Sequence, residues 1–418
     1  MGRNGSGQPR LLIYSQDGLG LGHQRRTSAI AAECCRRRPG VSILTIADSP
    51  LGAVFETQPG HDYVKLPSIR KLGPGQWEAV SLQLGFAQVA TLRRGLIQET
   101  VLGFAPDVLL VDHMPHGAMG ELVGTLDALR RYGRPTQIVL GLRDIIDDPQ
   151  TVRSSWRAEG AYDALVGFYD RVLVYGERRL FDLASAYRFP PAVIERTRHC
   201  GYVCTPDRAR YAGRVRARYR GTDRARRLVV AMAGGGADGY PLLRALLDAL
   251  PAVQAEQPIA VILVTGPFMP VTERRDLQAR AAVCGATARI SVSDSLSYIE
   301  AADLVVAMAG YNTAVEILRA GVPAVLVPRD GPSAEQRMRA ARFAEQGWVD
   351  VLDPRRLDPE TVAGAVLAGL AREDQAQGQG RTADLSGLDQ ACSELLELLD
   401  APGLVGRGPS PGTHGCSP

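Results

Sequence analysis

The chain has 418 residues, of which 45% are hydrophobic and 22% are charged, and its formal net charge is +3. A chain of this length favours two domains over a single core, and its composition is ordinary for a globular protein. The small net charge gives no support for a nucleic-acid partner, and no apolar run reaches the roughly 18 residues of a membrane-spanning helix. The polar N-terminus and the odd number of scattered cysteines predict a cytoplasmic protein.

Short Val-, Ile- and Leu-rich runs alternate with helical stretches along both halves of the chain. Continuous apolar runs, unlike alternating ones, are typical of strands buried on both faces of a parallel sheet. The pattern therefore predicts an α/β protein with two Rossmann-like, doubly wound domains that face each other across a cleft. The predicted strands are 11–15, 42–47, 108–111, 137–140, 172–174, 228–232, 260–264, 289–292, 304–307 and 324–327. The predicted helices are 23–37, 82–101, 117–132, 241–249, 312–320 and 334–346.

An Arg-rich stretch without apolar periodicity marks the boundary between the two halves. We assign 1–205 to an N-terminal Rossmann-like domain, 206–226 to a linker and 227–374 to a C-terminal domain. A nucleic-acid-binding arm is the alternative for the linker, and its few aromatic residues disfavour it. Residues 375–401 contain a helical pattern that we expect to pack back on the body, and the Gly- and Pro-rich residues 402–418 are expected to be disordered.

A glycine-rich turn, D-G-L-G-L-G-H at 17–23, follows the first predicted strand. Gly20 and Gly22 permit a ligand to approach the start of the following helix closely. The spacing is not that of a dinucleotide-binding fingerprint, because His23 stands where the last glycine would be. His23 is either a helix-start histidine bonded to the backbone or a general base in the cleft, since imidazole titrates near neutrality.

A second polar group, V-D-H-M-P-H at 111–116, follows another predicted strand. Asp112, at the strand end, can orient an imidazole such as that of His23, and a purely structural role fits it equally well. Asp112, His113 and His116 match no strong metal-ligand spacing. The sequence therefore favours an Asp–His pair over a metal site.

The second half contains two strand–turn–helix units with glycine-rich turns. The first turn holds Gly234, Gly235 and Gly236, and Gly310 closes a similar turn later. Free backbone N–H groups at such helix starts suit a phosphate or pyrophosphate, and a merely flexible turn is the alternative. Glu316, on the helix after Gly310, suits vicinal hydroxyls such as those of a ribose.

Two further polar groups stand at predicted strand ends. Glu335 and Gln336 open a helix after the last predicted strand, at the sheet edge where open α/β sheets bind ligands. Arg143 follows another strand and is expected to face the cleft. Asp147 and Asp148, just before a proline, are more typical of a helix cap than of a metal site.

In combination these motifs resemble glycosyltransferases of the GT-B fold. The resemblance is closest to a bacterial group whose C-terminal domain is similar to that of family 28, the peptidoglycan N-acetylglucosaminyltransferase family. It covers about residues 10 to 370 and is carried by Y-S-Q-D-G-L-G-L-G-H-Q-R-R, I-V-L-G-L-R-D-I-I, A-G-G-G-A-D-G-Y and M-A-G-Y-N-T-A-V-E-I-L. It implies a metal-independent enzyme that needs no cofactor, takes a nucleotide diphosphate sugar as co-substrate and inverts the anomeric carbon.

The resemblance also implies roles for individual positions. His23 would lie near the acceptor or the phosphates. That His23 and Asp112 form a catalytic pair is our hypothesis from the residues themselves. Glu316 would bind the ribose hydroxyls. The residues that would contact the diphosphate are Gly234, Gly235, Gly236, Gly310, Tyr311, Asn312 and Thr313, and Glu335 with Gln336 would hold the sugar. Gly20, Gly22 and Arg143 are added as donor-binding candidates because of their places at predicted strand ends.

The leading hypothesis is transfer of a sugar from a UDP- or dTDP-type donor to a small-molecule, glycan or lipid-linked acceptor of secondary or cell-envelope metabolism. A nucleotide-sugar 2-epimerase is an alternative. Such an enzyme needs acidic residues around the sugar to remove a proton, and the predicted sugar side offers few of them, namely Glu335 and the nearby Asp330. A non-catalytic, sugar-nucleotide-binding partner of another transferase is a third hypothesis. The incomplete fingerprint disfavours a nicotinamide-dependent oxidoreductase.

The segment from Leu66 to Phe104 combines apolar residues with Arg93 and Arg94. A segment of this kind predicts either a weak peripheral contact with a membrane or an ordinary amphipathic helix. The acceptor is expected to bind on this N-terminal side.

Overall fold

A computed structural model of the chain describes residues 8–16, 22–49, 58–73, 76–131, 135–204, 210–221, 223, 225–373 and 383–401. Gly20 and the C-terminal tail 402–418, both named in the predictions above, lie outside the described residues.

The first half is built on a seven-stranded sheet in which every pair of neighbouring strands is parallel. Its strands, in spatial order, are β3 (His61–Lys65), β2 (Ser42–Ala47), β1 (Arg10–Ser15), β6 (Val108–Asp112), β7 (Gln137–Arg143), β8 (Arg171–Tyr175) and β9 (Thr197–His199). A separate antiparallel hairpin consists of β4 (Ile69–Gly73) and β5 (Gln76–Ala79). The strand order changes direction between β1 and β6, which makes that edge the switch point at which such sheets bind ligands.

The second half is built on a six-stranded parallel sheet. Its strands, in spatial order, are β12 (Thr287–Arg289), β11 (Ile259–Val264), β10 (Arg227–Met232), β13 (Leu304–Ala307), β14 (Ala324–Leu326) and β15 (Asp350–Val351). Strands β10 and β13 are buried almost throughout, as their uninterrupted apolar sequences require. The switch point of this sheet lies between them.

Helices cover both sheets. Those of the first half are α1 (Gly22–Arg37), α2 (Phe86–Phe104), α3 (Val123–Arg131), α4 (Pro149–Ala158), α5 (Ala161–Phe168), α6 (Leu183–Ala186) and α7 (Pro191–Glu195). Those that follow are α8 (Ala212–Arg220), α9 (Tyr240–Glu256), α10 (Val271–Val283), α11 (Ser295–Ala301), α12 (Tyr311–Ala320), α13 (Glu335–Glu345), α14 (Pro359–Glu373) and α15 (Gly387–Asp400). No helix within these described ranges combines the length and apolar character that crossing a bilayer demands.

Helix α15 returns to the first half of the chain and packs against α1, β6 and β8. The Arg171 guanidinium donates to Glu394 on α15 at 2.5 Å, and Cys34 of α1 contacts Cys392. A continuous buried apolar cluster also links the halves, from Ile30 through Tyr311 to Leu228. The two halves are therefore packed together over an apolar interface.

Several element boundaries differ from the sequence predictions. The strand predicted at 289–292 is β12, which ends at Arg289, and the helix predicted from 117 begins at Val123 after a 3-10 turn. The 206–226 stretch contains helix α8, whose Arg216 is 3.0 Å from the buried carboxylate of Asp303. Arg216 also donates to the Ala301 carbonyl. Polar contacts of this kind hold the helix in place, and they leave no apolar periodicity in the sequence.

Candidate active site

The two switch points bring four chain segments to one place between the halves. The first half contributes the start of α1 after β1 and the loop after β6. The second half contributes the glycine loop after β10 and the turn between β13 and α12. Asn312 on α12 donates to the Gly22 carbonyl of α1 at 3.1 Å, so the two helix starts are in direct contact.

His23 and Asp112 are hydrogen-bonded in this region. The Nδ1 atom of His23 is 2.5 Å from Oδ2 of Asp112, and the carboxyl is fully buried. Arg26 donates from Nη2 to both carboxylate oxygens, at 2.9 and 2.8 Å. Burial alone would raise the pKa of Asp112, but the charge of Arg26 and the hydrogen bonds from His23 and Arg26 hold that pKa well below its usual value.

The ionised Asp112 fixes the tautomer of His23. A carboxylate can only accept, so Nδ1 of His23 carries the proton that it donates, which leaves Nε2 free to accept a proton. Arg26 Nη2 also lies 3.0 Å from the same Nδ1 atom, but a protonated nitrogen cannot accept from a guanidinium. The hydrogen bonds of Arg26 are therefore those to Asp112.

Arg26, which sequence reasoning missed, lies buried between the two halves. Its guanidinium lies 5.2 Å from the ring centroid of Tyr175 and 5.4 Å from that of Tyr311. The hydroxyl of Tyr311 accepts from the Val203 amide at 2.9 Å. The Tyr311 side chain, predicted as a donor-site group, thus belongs to the interface, and only its backbone N–H remains for a ligand. The one sequence signal for Arg26 is its position three residues after His23 on the same helix.

His113 lies beside the pair, with its ring centroid 4.9 Å from that of His23. Its backbone adopts a left-handed conformation (φ 76°), which is unusual for a residue with a side chain and is concentrated at functional sites. Its Nδ1 atom is buried and has no hydrogen-bond partner. Burial, reinforced by the charge of Arg143, lowers the pKa of His113 well below its usual value, so the ring is neutral at pH 7. Among the described residues, no three or more His, Cys, Asp or Glu side chains are placed so that they could hold a metal ion.

Arg143 and its neighbours attach the first half to the start of α13. Arg143 lies 2.8 Å from Glu335, and Asp147 accepts from the Ala334 amide at 2.7 Å. Burial alone would raise the pKa of Glu335. The guanidinium of Arg143 and other nearby positive charges outweigh burial and lower this pKa, so Glu335 is an ionised carboxylate. Asp148 caps α4 by accepting from two amides, so the predicted cap is confirmed there.

A buried bidentate ion pair also crosses between the halves next to this site. Arg339 of α13 donates to both oxygens of Asp144, at 2.8 and 2.6 Å, and to the Ala309 carbonyl at 2.9 Å. A charged pair of this kind is strongly destabilising to break, at about 3–5 kcal/mol. Arg339 therefore fixes α13 relative to the first half, and it was not predicted from the sequence.

Glu316 is buried in the second turn of α12. Ser295 donates to it at 3.0 Å, and Arg25 of α1 forms an ion pair with it. Burial raises the pKa of Glu316, and Arg25 and Ser295 oppose that shift. The carboxylate predicted to bind a ribose thus already has partners.

The glycines of the second half have different roles. Gly236 (φ 97°) could not carry a side chain, because a Cβ atom there would lie 2.3 Å from the Thr265 carbonyl. Gly234 (φ 61°) borders open space, and so does Gly310, the N-cap of α12. The first N–H groups of α12, at Tyr311, Asn312 and Thr313, have no intrahelical acceptor, an arrangement that suits an anion.

Arg329, another residue that sequence reasoning missed, lies near the same loop. It is 3.5 Å from Asp238 and 3.9 Å from Glu335, and its buried Nε atom has no hydrogen-bond partner. Gln336, predicted to hold a sugar, accepts from the Arg329 backbone amide at 3.1 Å. A partly satisfied guanidinium next to a glycine loop adds positive charge to the place where an anion would bind.

Comparison with known proteins supports the fold described above. Residues 229–394 match the glycosyltransferase family 28 C-terminal domain. The second half of the chain therefore resembles a family 28 domain. Among solved structures, MurG of Acinetobacter baumannii superposes with a TM-score of 0.58 at 15% identity, covering 93% of this chain and 100% of that one. CalG4, the calicheamicin glycosyltransferase, gives 0.59 at 18% identity, covering 94% and 100%.

Two curated relatives are both named UDP-N-acetylglucosamine--N-acetylmuramyl-(pentapeptide) pyrophosphoryl-undecaprenol N-acetylglucosamine transferase. The protein from Mycolicibacterium vanbaalenii is 32% identical over 196 residues, 46% of each chain. The protein from Acidothermus cellulolyticus is 30% identical over 218 residues, 52% of this chain and 58% of the relative. The chain thus spans about half the length of these relatives. The resemblance to family 28 and the two-domain GT-B fold predicted from the sequence are confirmed.

Proposed function

We propose that this GT-B protein transfers a sugar from a nucleotide diphosphate sugar to an acceptor hydroxyl or amine, with inversion and without a metal ion. One observation carries the proposal. The His23–Asp112 pair of the first half lies next to the start of α12 in the second half, which has no side-chain cap. One half thus supplies a base with a free nitrogen, and the other supplies an anion site. The names of the curated relatives support a UDP-linked sugar as the donor.

The donor binds to the second half in this proposal. Its diphosphate accepts from the first N–H groups of α12 and from the loop at Gly234, where the positive end of the helix dipole stabilises negative charge. Glu316 accepts from the ribose hydroxyls. Glu335 and Gln336 bind the sugar. The site is also bordered by Arg143 and Arg329, which balance the charge of the leaving group.

The reaction is a displacement at the anomeric carbon. The acceptor oxygen or nitrogen attacks as its proton passes to Nε2 of His23, and the bond from the anomeric carbon to the diphosphate breaks with both electrons. Asp112 stabilises the imidazolium, and the α12 amides stabilise the departing diphosphate. A positioned base contributes roughly 10²–10⁴ in rate and an oriented anion site roughly 10²–10³.

The acceptor binds to the first half, in our proposal, by its apolar part. Met114, next to His113, packs in a small apolar cluster under the β4–β5 hairpin. The outer surface of this region exposes leucines, with Leu72 58% and Leu84 47% exposed. Such a surface suits a lipophilic or lipid-linked acceptor and a weak peripheral membrane contact.

The predicted contribution of Arg93 to that contact is wrong. Arg93 is fully buried and donates to Glu121 at 2.7 and 2.6 Å, with Asp48 as a further partner at 3.3 Å. It anchors α2 to the sheet, because a buried guanidinium requires carboxylate partners. Arg94 is exposed and remains available at the surface.

Thermal unfolding with a panel of UDP-, dTDP- and GDP-sugars tests the proposal. A ligand at 100 times its dissociation constant stabilises the folded state by about 2.7 kcal/mol, which corresponds to a shift of a few degrees in Tm. We expect one donor class to raise the Tm of the wild type and to lose most of this effect in Glu316→Ala. Glu345→Ala, which removes an exposed carboxylate paired with Arg342, is the control.

The proposal is contradicted if no member of the panel binds, or if Glu316→Ala binds as tightly as the control. Incubation of the bound donor without acceptor separates the alternatives. A 2-epimerase would convert the sugar at full rate, whereas a transferase would leave it nearly unchanged. Binding without turnover on any acceptor would support the non-catalytic partner.

A further inference from the structure

Arg25 forms an ion pair with Glu316, the carboxylate that the proposed function assigns to the ribose. It lies in the first turn of α1, two residues after His23, and reaches across the boundary between the halves to Glu316. The same Nη2 atom donates to Ser295 at 2.8 Å. The Arg25 side chain is 33% exposed, whereas that of Glu316 is only 4% exposed.

Arg25 and Ser295 both contact the carboxylate of Glu316, whose side chain is only 4% exposed. Oε1 is bound by Arg25, and Ser295 approaches both oxygens, at 3.3 and 3.0 Å. A ribose diol needs two acceptor positions on the carboxylate. The crevice beside the pair is lined by Arg25, Glu316 and Asn312, and Arg25 is the more exposed member of the ion pair. A nucleotide therefore has to displace Arg25 before it binds Glu316.

We infer that Arg25 is a positioning residue that changes partners when the donor binds, from Glu316 to the diphosphate. This inference rests on the proposed function. The displaced guanidinium stays near the start of α12, because Glu316 is five residues from Tyr311, or roughly 7–8 Å along the helix. The Arg25 side chain can span that distance by changing rotamer. The phosphate oxygens of the incoming diphosphate can then accept from its guanidinium in place of the Glu316 carboxylate. Arginine suits this exchange because its planar fork matches carboxylates and phosphates alike.

The exchange predicts opposite effects on two probes. A nucleoside has a ribose and no phosphate. Its binding breaks the Arg25–Glu316 pair and gives the freed guanidinium no new partner. In Arg25→Ala, Glu316 is open, and the nucleoside should bind more tightly than it binds the wild type. The nucleoside diphosphate loses a charged partner in the same variant. The ratio of nucleoside to diphosphate dissociation constants should therefore fall by at least tenfold, the order of effect of one charge-assisted hydrogen bond.

The test is calorimetric titration of the full chain with UDP, dTDP and GDP, followed by the matching nucleoside of whichever binds. Arg25→Ala and Arg25→Lys are compared with the wild type, and Arg342→Ala, which removes an exposed arginine with the same charge change, is the control. The lysine variant keeps the charge without the fork, so its ratio should lie between those of the wild type and the alanine variant. The control should keep the wild-type ratio.

The outcomes separate the inference from the function beneath it. An unchanged ratio in Arg25→Ala, with or without a lower Tm, would show that the pair only fastens the halves and would overturn the inference. Weaker nucleoside binding in that variant would overturn it too. Diphosphate binding that depends on Glu316 but not on Arg25 would leave the proposed function intact. Failure of every diphosphate to bind the wild type would overturn both.

Discussion

Replacing Asp112 by asparagine tests the catalytic pair, because the change removes the charge and keeps the shape. The buried carboxylate accepts two hydrogen bonds from Arg26 and one from His23. An amide has one oxygen, so its NH₂ group must face one of these donors. If the oxygen keeps Arg26, the NH₂ group faces Nδ1 of His23 and forces the proton onto Nε2. His23 then cannot accept a proton from the acceptor.

The magnitudes follow from the burial of these groups. Removing one partner of a buried ion pair costs about 3–5 kcal/mol of stability, since Arg26 loses its full countercharge. Loss of a correctly protonated general base lowers kcat by roughly 10²–10⁴. Donor affinity should be almost unchanged, because Asp112 lies on the first half and the proposed donor contacts lie on the second.

The assay measures kcat, the KM for the donor and the Tm of Asp112→Asn. Asp303→Asn is the matched control, because Asp303 is also buried and paired with an arginine, Arg216, but lies at the opposite end of its strand. The control should lose stability and keep the wild-type kcat below its Tm. Asp112→Asn with wild-type kcat would refute the role of the pair, whatever its Tm.

Acid unfolding gives an independent measure of the same carboxylate. Burial opposes ionisation, but Arg26 and His23 prevail and lower the folded-state pKa of Asp112. Its stabilisation is therefore fully present above the unfolded pKa of roughly 3.9 and is lost as the pH falls through the lower folded value. In Asp112→Asn this part of the acid loss should be missing, and an unchanged acid transition would contradict the assigned ion pair.

Two further variants test the base and the glycine loop. His23→Ala should lower kcat by roughly 10²–10⁴ while leaving the dissociation constant of the donor within about twofold, by kinetics and calorimetry, and retained activity would remove His23 from the mechanism. Gly236→Ala should destabilise the chain by more than about 2 kcal/mol in chemical denaturation, because its Cβ would meet the Thr265 carbonyl at positive φ. Gly234→Ala, which meets open space, should cost only the backbone strain of about 1–2 kcal/mol, and equal losses would contradict the packing argument.

The sheets could be predicted from the sequence because their central strands are continuous apolar runs. Strand β3 was missed because its sequence, H-D-Y-V-K, is half-exposed and mostly polar. Helix α10 was missed for a similar reason, since only Leu277 and Ala281 of its residues are buried hydrophobics. Elements at the edges of the sheets carry too little apolar signal to be distinguished from loops.

The site was predictable in part, through residues whose type limits their chemistry. Glycines, a histidine and strand-end carboxylates stand out, so His23, Asp112 and Glu316 could be named. The arginines could not, because all but two of the 48 basic residues are arginines. Only the structure shows that Arg25, Arg26 and Arg339 contact these acidic groups or their neighbours. Such pairs depend on how the two halves pack, and no local pattern encodes that packing.

The most direct test of the account is a crystal structure of the chain with the nucleoside diphosphate selected by thermal unfolding. We predict that the diphosphate accepts from the first amides of α12 near Gly234, that the pentose hydroxyls contact Glu316, and that His23 faces the outer phosphate. A nucleotide bound elsewhere, with the start of α12 empty, would contradict the central claim that the second half of the chain holds the donor opposite the His23–Asp112 pair.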